Sequence, residues 1–336
     1  MRVAILFDAG SADWSAADVA AVMKNVHEVR DVLRRRGHEP ELVPVRGGDF
    51  RWLTRARRAE AVYNLCEGIG GHARFEDLVV ATLELTGQPV TGCRAWPTTV
   101  CHRKHVAATL LAAAGVPVPQ TVLAQGNKVP ADFPLPAIVK PAAEDASVGI
   151  DAGAVCTSKK ALRKRVALML EQFDEVVVQA YVAGREVNVG FVGKQVLPIS
   201  EIDFRDLPEE SWPLVTYAAK WNPEHPEYHG TVPVCPAPLA ADVAKRVVAA
   251  ARLAWETMAG SEGYGRVDLR IDAEGRPWVL EVNPCPDLSS DAGLARMAAA
   301  HGWDYDELVC QILDEALGRT QRRDAAAALA QGGVTA

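Results

Sequence analysis

The segments Gly265-Arg-Val-Asp-Leu-Arg270 and Val279-Leu-Glu-Val-Asn-Pro284 decide the fold of this 336-residue chain. Each alternates apolar and polar side chains in the manner of a β-strand with one buried face. Between them lies Asp272-Ala-Glu-Gly275, a turn sequence, so the pair reads as an antiparallel hairpin over Gly265 to Ile271 and Pro277 to Val282. Alternation puts Arg266 and Asp268 on one face of the first strand, and Glu281 and Asn283 on one face of the second. If the loop holds an even number of residues, the two faces coincide. Asp268, Glu281 and Asn283 then offer hard oxygens beside Arg266, the donor set of a Mg²⁺ ion bridging nucleotide phosphates. A surface hairpin with solvated charges on its outer face has the same spacing, so neighbouring segments have to separate the two readings.

Two such segments lie upstream. Ile138-Val-Lys-Pro-Ala-Ala-Glu-Asp-Ala-Ser-Val-Gly149 is an apolar strand ending in Lys140, followed by a loop of small residues that includes Ser147. A lysine where a strand leaves the core, next to a loop rich in backbone donors, can hold and cover phosphate oxygens. An ordinary exit turn reads the same way. Val176-Val-Val-Gln-Ala-Tyr-Val-Ala-Gly-Arg-Glu-Val-Asn188 runs from strand to turn. The main chain from Gln179 through Tyr181 to Val182 can read an adenine edge, and Glu186 can accept bonds from ribose hydroxyls; a sheet-edge turn with an exposed glutamate is the alternative.

Composition limits what these segments can serve. Lys and Arg number 36 against 43 Asp and Glu, a formal charge of -7, so no overall field draws nucleic acid and phosphate must be met by a few placed cations. Apolar residues make up 49% of the chain, enough for ordinary cores in about two domains. The stretch Val106 to Val118 falls well short of the ~20 residues that cross a membrane. Met1 to Phe7 reads as a buried strand starting almost at the first residue, which leaves no cleavable signal segment. Seven scattered cysteines with no Cys-x-x-Cys pair suit reduced thiols in a cytoplasm and argue against zinc.

Along the chain, strand Val3 to Phe7, helix Ala16 to Arg36, strands Glu41 to Val45 and Ala61 to Leu65, and helix Glu76 to Thr86 form a layered α/β domain over 1–97. Trp96-Pro97 breaks the chain, and helix Thr99 to Ala114 opens a small lid-like domain over 98–182. Residues 183–318 form a C-terminal domain with the hairpin. Its Pro- and aromatic-rich stretch 204–234 is expected to be a mobile lid. Residues 319–336 read as a frayed tail.

In this order and spacing the segments resemble the D-alanine–D-alanine ligase branch of the ATP-grasp superfamily. The likeness also takes in Ser11-Ala-Asp13, Asn64-Leu-Cys-Glu-Gly68, Glu84-Leu-Thr-Gly-Gln-Pro-Val-Thr-Gly92 and Lys104 ahead of Gly115-Val-Pro117. It implies a three-lobed ATP-grasp fold, mixed α/β and α+β, with ATP between the last two lobes. It further implies Mg²⁺ or Mn²⁺, a cytoplasmic location, small carboxylate and amine substrates, and a homodimer. By the same resemblance Lys104 and Lys140 hold phosphates, Ser147 lies in the loop closing over them, and Glu186 binds ribose. Asp268, Glu281 and Asn283 ligate the metal, Arg266 faces the reaction centre, and Lys220 of Tyr217-Ala-Ala-Lys-Trp221 reaches the γ-phosphate.

A carboxylate that attacks ATP becomes an acyl phosphate, an amine attacks that, and the oxyanion expels phosphate. Such chemistry needs positive charge rather than a protein nucleophile. The cysteines therefore need no catalytic role, and His102, His105, His225 and His229 read as solvated or structural.

The substrate half departs from the family. Where those ligases carry a hydrogen-bonded Glu, Ser and Tyr for the first D-alanine, this chain has Asp13, Ala146 and Trp221. Asp287 stands in place of a glycine and Ala292 in place of a serine; Asp287 or Asp291, if turned inward, would repel a substrate carboxylate. The leading expectation is an amino-acid or dipeptide ligase of specialised metabolism, or an intramolecular cyclising variant. The others are a D-alanine–D-alanine ligase with an unusual pocket, and a catalytically silent nucleotide-binding protein.

Overall fold

The computed structural model describes residues 1–11, 14–124, 126 and 128–332. Its N-terminal part runs β1 (Arg2–Asp8), α1 (Ala16–Arg35), β2 (Glu39–Val45), α2 (Arg51–Ala56), β3 (Ala61–Leu65) and α3 (Glu76–Glu84). The strands form a parallel sheet in the order β2-β1-β3. Strand β1 is apolar on both faces because both are covered. Val3, Ile5 and Phe7 meet α1, whereas Ala4 and Leu6 meet Trp52 and Ala56 of α2 and Val79 and Leu83 of α3.

Two helices follow, α4 (Ala95–Cys101) and α5 (Lys104–Ala113). Pro97 does not break the chain as expected from sequence. It sits in the first turn of α4, where backbone N–H groups have no intrahelical partner to lose. The interruption falls instead at His102-Arg103, and it places Lys104 at the start of α5.

A small sheet comes next, from β4 (Thr121–Leu123), β5 (Ala137–Pro141), β6 (Val155–Cys156) and β7 (Val176–Ala180), with α6 (Lys159–Leu170) against it. Its order is β4-β7-β5-β6, and its core joins Val139, Val176 and Val178 to Leu162, Val166 and Met169 of α6. This unit is smaller than the 98–182 span expected. Helices α4 and α5 belong elsewhere, because Val100, Ala107 and Leu111 pack with Ala250, Trp255 and Val279 in the core of the large sheet.

The large part contains β8 (Arg185–Val192), β9 (Gln195–Val196), β10 (Ser200–Asp203), α7 (Tyr217–Trp221), α8 (Pro226–His229), β11 (Val232–Val234), α9 (Ala241–Ala259), β12 (Tyr264–Ile271), β13 (Pro277–Asn283), α10 (Gly293–His301) and α11 (Tyr305–Gly332). Its antiparallel strands lie in the order β11-β10-β8-β12-β13, with β9 on β8. The alanines of α9 let the helix settle closely on the sheet, and Trp255 stacks on Phe191 with ring centroids 5.3 Å apart. The hairpin opens with a glycine for this reason: a Cβ on Gly265 would stand 2.3 Å from the Trp255 ring.

The tail expectation fails at its start, over 319–323, and its last four positions, 333–336, lie outside the described residues. Helix α11 carries its apolar stripe, Leu308, Val309, Ile312 and Leu313, onto the core shared with β1 and α1, and it continues through Arg319. Arg319 is buried and donates to the Gly92 and Val90 carbonyls, while Arg323 donates to the Gly87 carbonyl. These bonds lock the helix to the loop after α3.

Candidate active site

A cavity of about 710 Å³ opens between the small and the large sheet. The β12–β13 hairpin forms its floor. Arg266 pairs with Asn283 and Asp268 with Glu281, directly across the ladder, so the four polar side chains do share a face. They do not do so through an even loop. Ile271 pairs with Pro277 across residues 272–276, an odd count, and the register shifts by one between Asp268 and Leu269. That bulge turns Glu281 and Asn283 from the core side to the cavity side.

Arg266 grips Asp268 with two bonds, Nε to Oδ1 at 2.6 Å and Nη2 to Oδ2 at 2.8 Å, and Asn188 Nδ2 donates to the same Oδ1 at 2.7 Å. Burial works against the Arg266 charge, but Asp268 outweighs it and raises the guanidinium's pKa. A carboxylate has about four lone-pair sites, so Asp268 keeps one on Oδ2. Asn283 Oδ1 accepts from the Cys285 N–H at 2.9 Å and keeps another. Glu281 lies 4.0 Å from Lys104 Nζ. Two carboxylates and an amide oxygen on one face fit a hard divalent cation. Among the described residues no group of three or more His, Cys, Asp or Glu could hold a metal, so the amide is needed to complete this set.

Four of the cations that line the cavity are those expected from the sequence. Lys104 is buried, its Nζ 3.2 Å from Asp145 Oδ1; burial alone would lower its pKa, and Asp145 with Glu281 reverses the sign. Lys140 is buried too, and among the described residues its ammonium makes no hydrogen bond or ion pair. Desolvation lowers its pKa. Lys220 is exposed, unlike Lys140, yet desolvation by the surrounding walls and then Arg266 lower its pKa. Arg266 is the fourth.

At the other end, Gln179, Ala180, Tyr181 and Val182 line the cavity, and Gln179 Nε2 donates to Thr121 Oγ1 at 2.9 Å. Glu186 accepts from Arg270 Nη2 at 2.8 Å, and Arg270 also donates to the Tyr181 hydroxyl and the carbonyls of Val182 and Pro213. Above the cavity, the loop with Ala146 and Ser147 at positive φ is tied to the 204–234 segment. Ser147 Oγ donates to Val215 O at 2.9 Å, the Tyr217 N–H to Ile150 O at 2.9 Å, and the Trp221 indole to Ala146 O at 3.1 Å.

The expected substrate residues divide. Asp13 lies outside the described residues. Ala146 and Asp287 line the cavity, with Asp287 Oδ1 accepting from the N–H and hydroxyl of Ser289. Trp221 is not among the residues lining the cavity: its side chain is exposed, its indole caps the loop through Ala146, and the Lys220 ammonium lies 5.4 Å from the centre of its ring. Asp291 also turns away, because Lys24 of α1 holds it at 2.9 Å.

Sequence reasoning missed three residues. Arg270 shares a face with Arg266 and Asp268 by the same alternation, so its signal was present. Asn188, opposite Asp268 on β8, and His102, buried between Glu76 and Asp145, had none without the fold.

Residues 112–314 match the family described as D-ala D-ala ligase C-terminus. The chain is 32% identical to the uncharacterized protein y4sG of Sinorhizobium fredii, over 84% of each chain. It is 30% identical to a D-alanine–D-alanine ligase of Gloeobacter violaceus, over 94% of this chain and 100% of that one. The crystal structure of a Bacillus anthracis D-alanine–D-alanine ligase complexed with ATP superposes with a TM-score of 0.74 at 20% identity, covering 96% of this chain and 99% of that one. With its ATP-grasp architecture and a family match over more than half its length, the chain belongs to the D-alanine–D-alanine ligase family.

Proposed function

We infer that the protein is an ATP- and Mg²⁺-dependent ligase that joins a carboxylate to an amine, acting on small amino-acid-type substrates in specialised metabolism. One observation carries the reading: a single cavity collects Lys104, Lys140, Lys220 and Arg266 with the oxygens of Asp268, Glu281 and Asn283. A silent nucleotide-binding protein has no use for Arg266 and Lys220 at the end away from the adenine wall.

The main chain of 180–182 takes the base, and Glu186, oriented by Arg270, takes the ribose. Lys104 and Lys140 hold the inner phosphates, with Ser147 in the loop above them. Asp268, Glu281 and Asn283 would hold Mg²⁺, which would supply charge compensation to the phosphates. Lys220 reaches the γ-phosphate from the lid. Attack by the substrate carboxylate forms a C–O–P linkage and releases ADP; attack by the amine forms the C–N bond, and phosphate leaves as the tetrahedral oxyanion collapses. Arg266, preoriented by Asp268, stabilises that oxyanion.

The unusual substrate end supports a product other than D-alanyl-D-alanine. Trp221 bonds to a backbone carbonyl where the family places a hydroxyl network, and Asp287 brings a carboxylate to the wall. The second reading, a D-alanine–D-alanine ligase with an altered pocket, is favoured by relatives of that name aligning along nearly the whole chain. Phosphate release from ATP, screened over pairs of carboxylates and amines with D-alanine among them, separates the two. No release with any pair would overturn both.

A further inference from the structure

His102 sits at the joint between α4 and α5 and is buried. Its Nε2 lies 3.2 Å from Glu76 Oε2 and 3.4 Å from Asp145 Oδ2. Glu76 opens α3 in the N-terminal domain and is also buried, whereas Asp145 belongs to the loop after β5 that overhangs the cavity. The other Asp145 oxygen is 3.2 Å from Lys104 Nζ, and Lys104 is 4.0 Å from Glu281. Charges therefore alternate in a line from one domain to the metal face: Glu76, His102, Asp145, Lys104, Glu281.

A neutral imidazole has one N–H and can satisfy only one carboxylate at Nε2. Two carboxylates crowded on one nitrogen are both attracted only when the ring is charged. Burial alone would discharge it, but the bond and charge of Glu76, joined by Asp145, outweigh burial and raise its pKa despite Lys104 nearby. Asp145 answers in kind. Burial would raise its carboxyl, and Lys104 and His102 bring it below the usual range. The thiols closest to this line, Cys101 and Cys285, are pushed up by burial and add no charge.

We propose that His102 is a positioning residue whose imidazolium ties Glu76 of the N-terminal domain to Asp145, and so fixes the Asp145–Lys104 pair that presents the lysine to the nucleotide. The inference rests on the reading of Lys104 as a phosphate ligand. His102 touches no cavity surface itself, so its loss acts through Asp145 and Lys104, on nucleotide affinity more than on turnover at saturation. The sign with pH follows from the raised pKa. The bridge is complete while the ring is charged and is lost as pH rises through the ring's own titration, so ATP binds less well on the alkaline side.

The test combines NMR titration of the histidine ring in the free protein with calorimetry of Mg²⁺-ATP binding between about pH 6 and 9. The His102 signal is expected to titrate above the ordinary histidine value of about 6.5, and to move down in both Glu76→Gln and Asp145→Asn. His102→Gln is expected to bind ATP about tenfold more weakly at neutral pH, the scale of one charge-assisted bond. It should also lose the alkaline fall in affinity and retain kcat within about twofold. A ring that titrates at the ordinary value and ignores Glu76→Gln overturns the bridge, even if His102→Gln fails to fold. Wild-type affinity and pH profile in a folded His102→Gln overturn the coupling to Lys104. Unchanged ATP affinity in Lys104→Ala overturns the underlying reading of the lysine, whereas the bridge itself stands or falls on the NMR titration.

Discussion

Asp268 and Glu281 face each other across β12 and β13 because the ladder slips by one residue just beyond them. Had the register of the turn end continued, Asp268 would oppose Leu280, and Glu281 would point with Val267 into the core. Val279 and Val282, both buried on the core side, are three residues apart instead of two, which is the trace of that slip in the burial pattern.

Glu281→Ala is therefore expected to remove a ligand and little else. The side chain makes no close hydrogen bond among the described residues and is only partly buried, so stability should change by less than about 1 kcal/mol. ATP-dependent turnover should fall by at least about 10²-fold, the scale of losing oriented charge compensation. Thermal melts beside phosphate-release assays at several Mg²⁺ concentrations check both. A stable variant with full activity removes Glu281 from the metal set.

Lys140 bears a desolvation cost with no partner among the described residues. Lys140→Met is thus expected to melt at or above the wild-type temperature without nucleotide, yet to bind ATP about 1.5–3 kcal/mol more weakly. The stabilisation that ATP confers on the wild type, which follows from binding the folded state alone, should shrink accordingly. Melting curves with and without Mg²⁺-ATP measure both effects. Equal ATP stabilisation in the two proteins would show that the lysine only marks the end of β5.

Arg270 is buried to within 2% of its surface and holds Glu186 directly across the β8–β12 ladder. Arg270→Ala leaves that carboxylate without its charge partner and should cost about 3–5 kcal/mol. Arg270→Met with Glu186→Gln, which removes both charges, should recover much of that loss but not nucleotide affinity. Denaturant titrations of the three proteins decide it, and equal stability of the single and double variants would refute the pairing.

Much of the site was legible because strand alternation is a local property. Residues 266, 268 and 270 share a face whatever surrounds them, and Lys140 ends an apolar run. What the sequence concealed depends on three dimensions. The bulge at Leu280 has no Gly or Pro to announce it, and the contacts of His102 join the start of α3, the joint between α4 and α5 and the loop after β5, a meeting that no local pattern encodes. Helix α11 was hidden for a different reason: Arg319 and Arg323 look like solvated charges until the carbonyls of 87–92 are seen beneath them.

The substrate end leads to the prediction with most at stake, that D-alanyl-D-alanine is formed only slowly. Resemblance to the family calls for a Ser and a Tyr whose hydroxyls help to orient the first D-alanine, and this chain places Ala146 and Trp221 there. The Trp221 indole N–H donates to the Ala146 carbonyl at 3.1 Å, a tie between the loop after β5 and the 204–234 segment that needs neither hydroxyl. Trp221 itself is exposed and is not among the residues lining the cavity. Each bond lost to a charged substrate is worth about 1.5–3 kcal/mol, and two such losses, allowing for non-additivity, reduce kcat/KM for D-alanine by roughly 10² to 10⁴ fold. Pure enzyme with Mg²⁺-ATP and millimolar D-alanine, assayed for dipeptide by mass spectrometry, gives the answer. Ala146→Ser with Trp221→Tyr should raise the rate. Dipeptide formed by the unaltered enzyme at about 1 to 10³ per second would sink the argument from Ala146 and Trp221 and establish the D-alanine reading in its place.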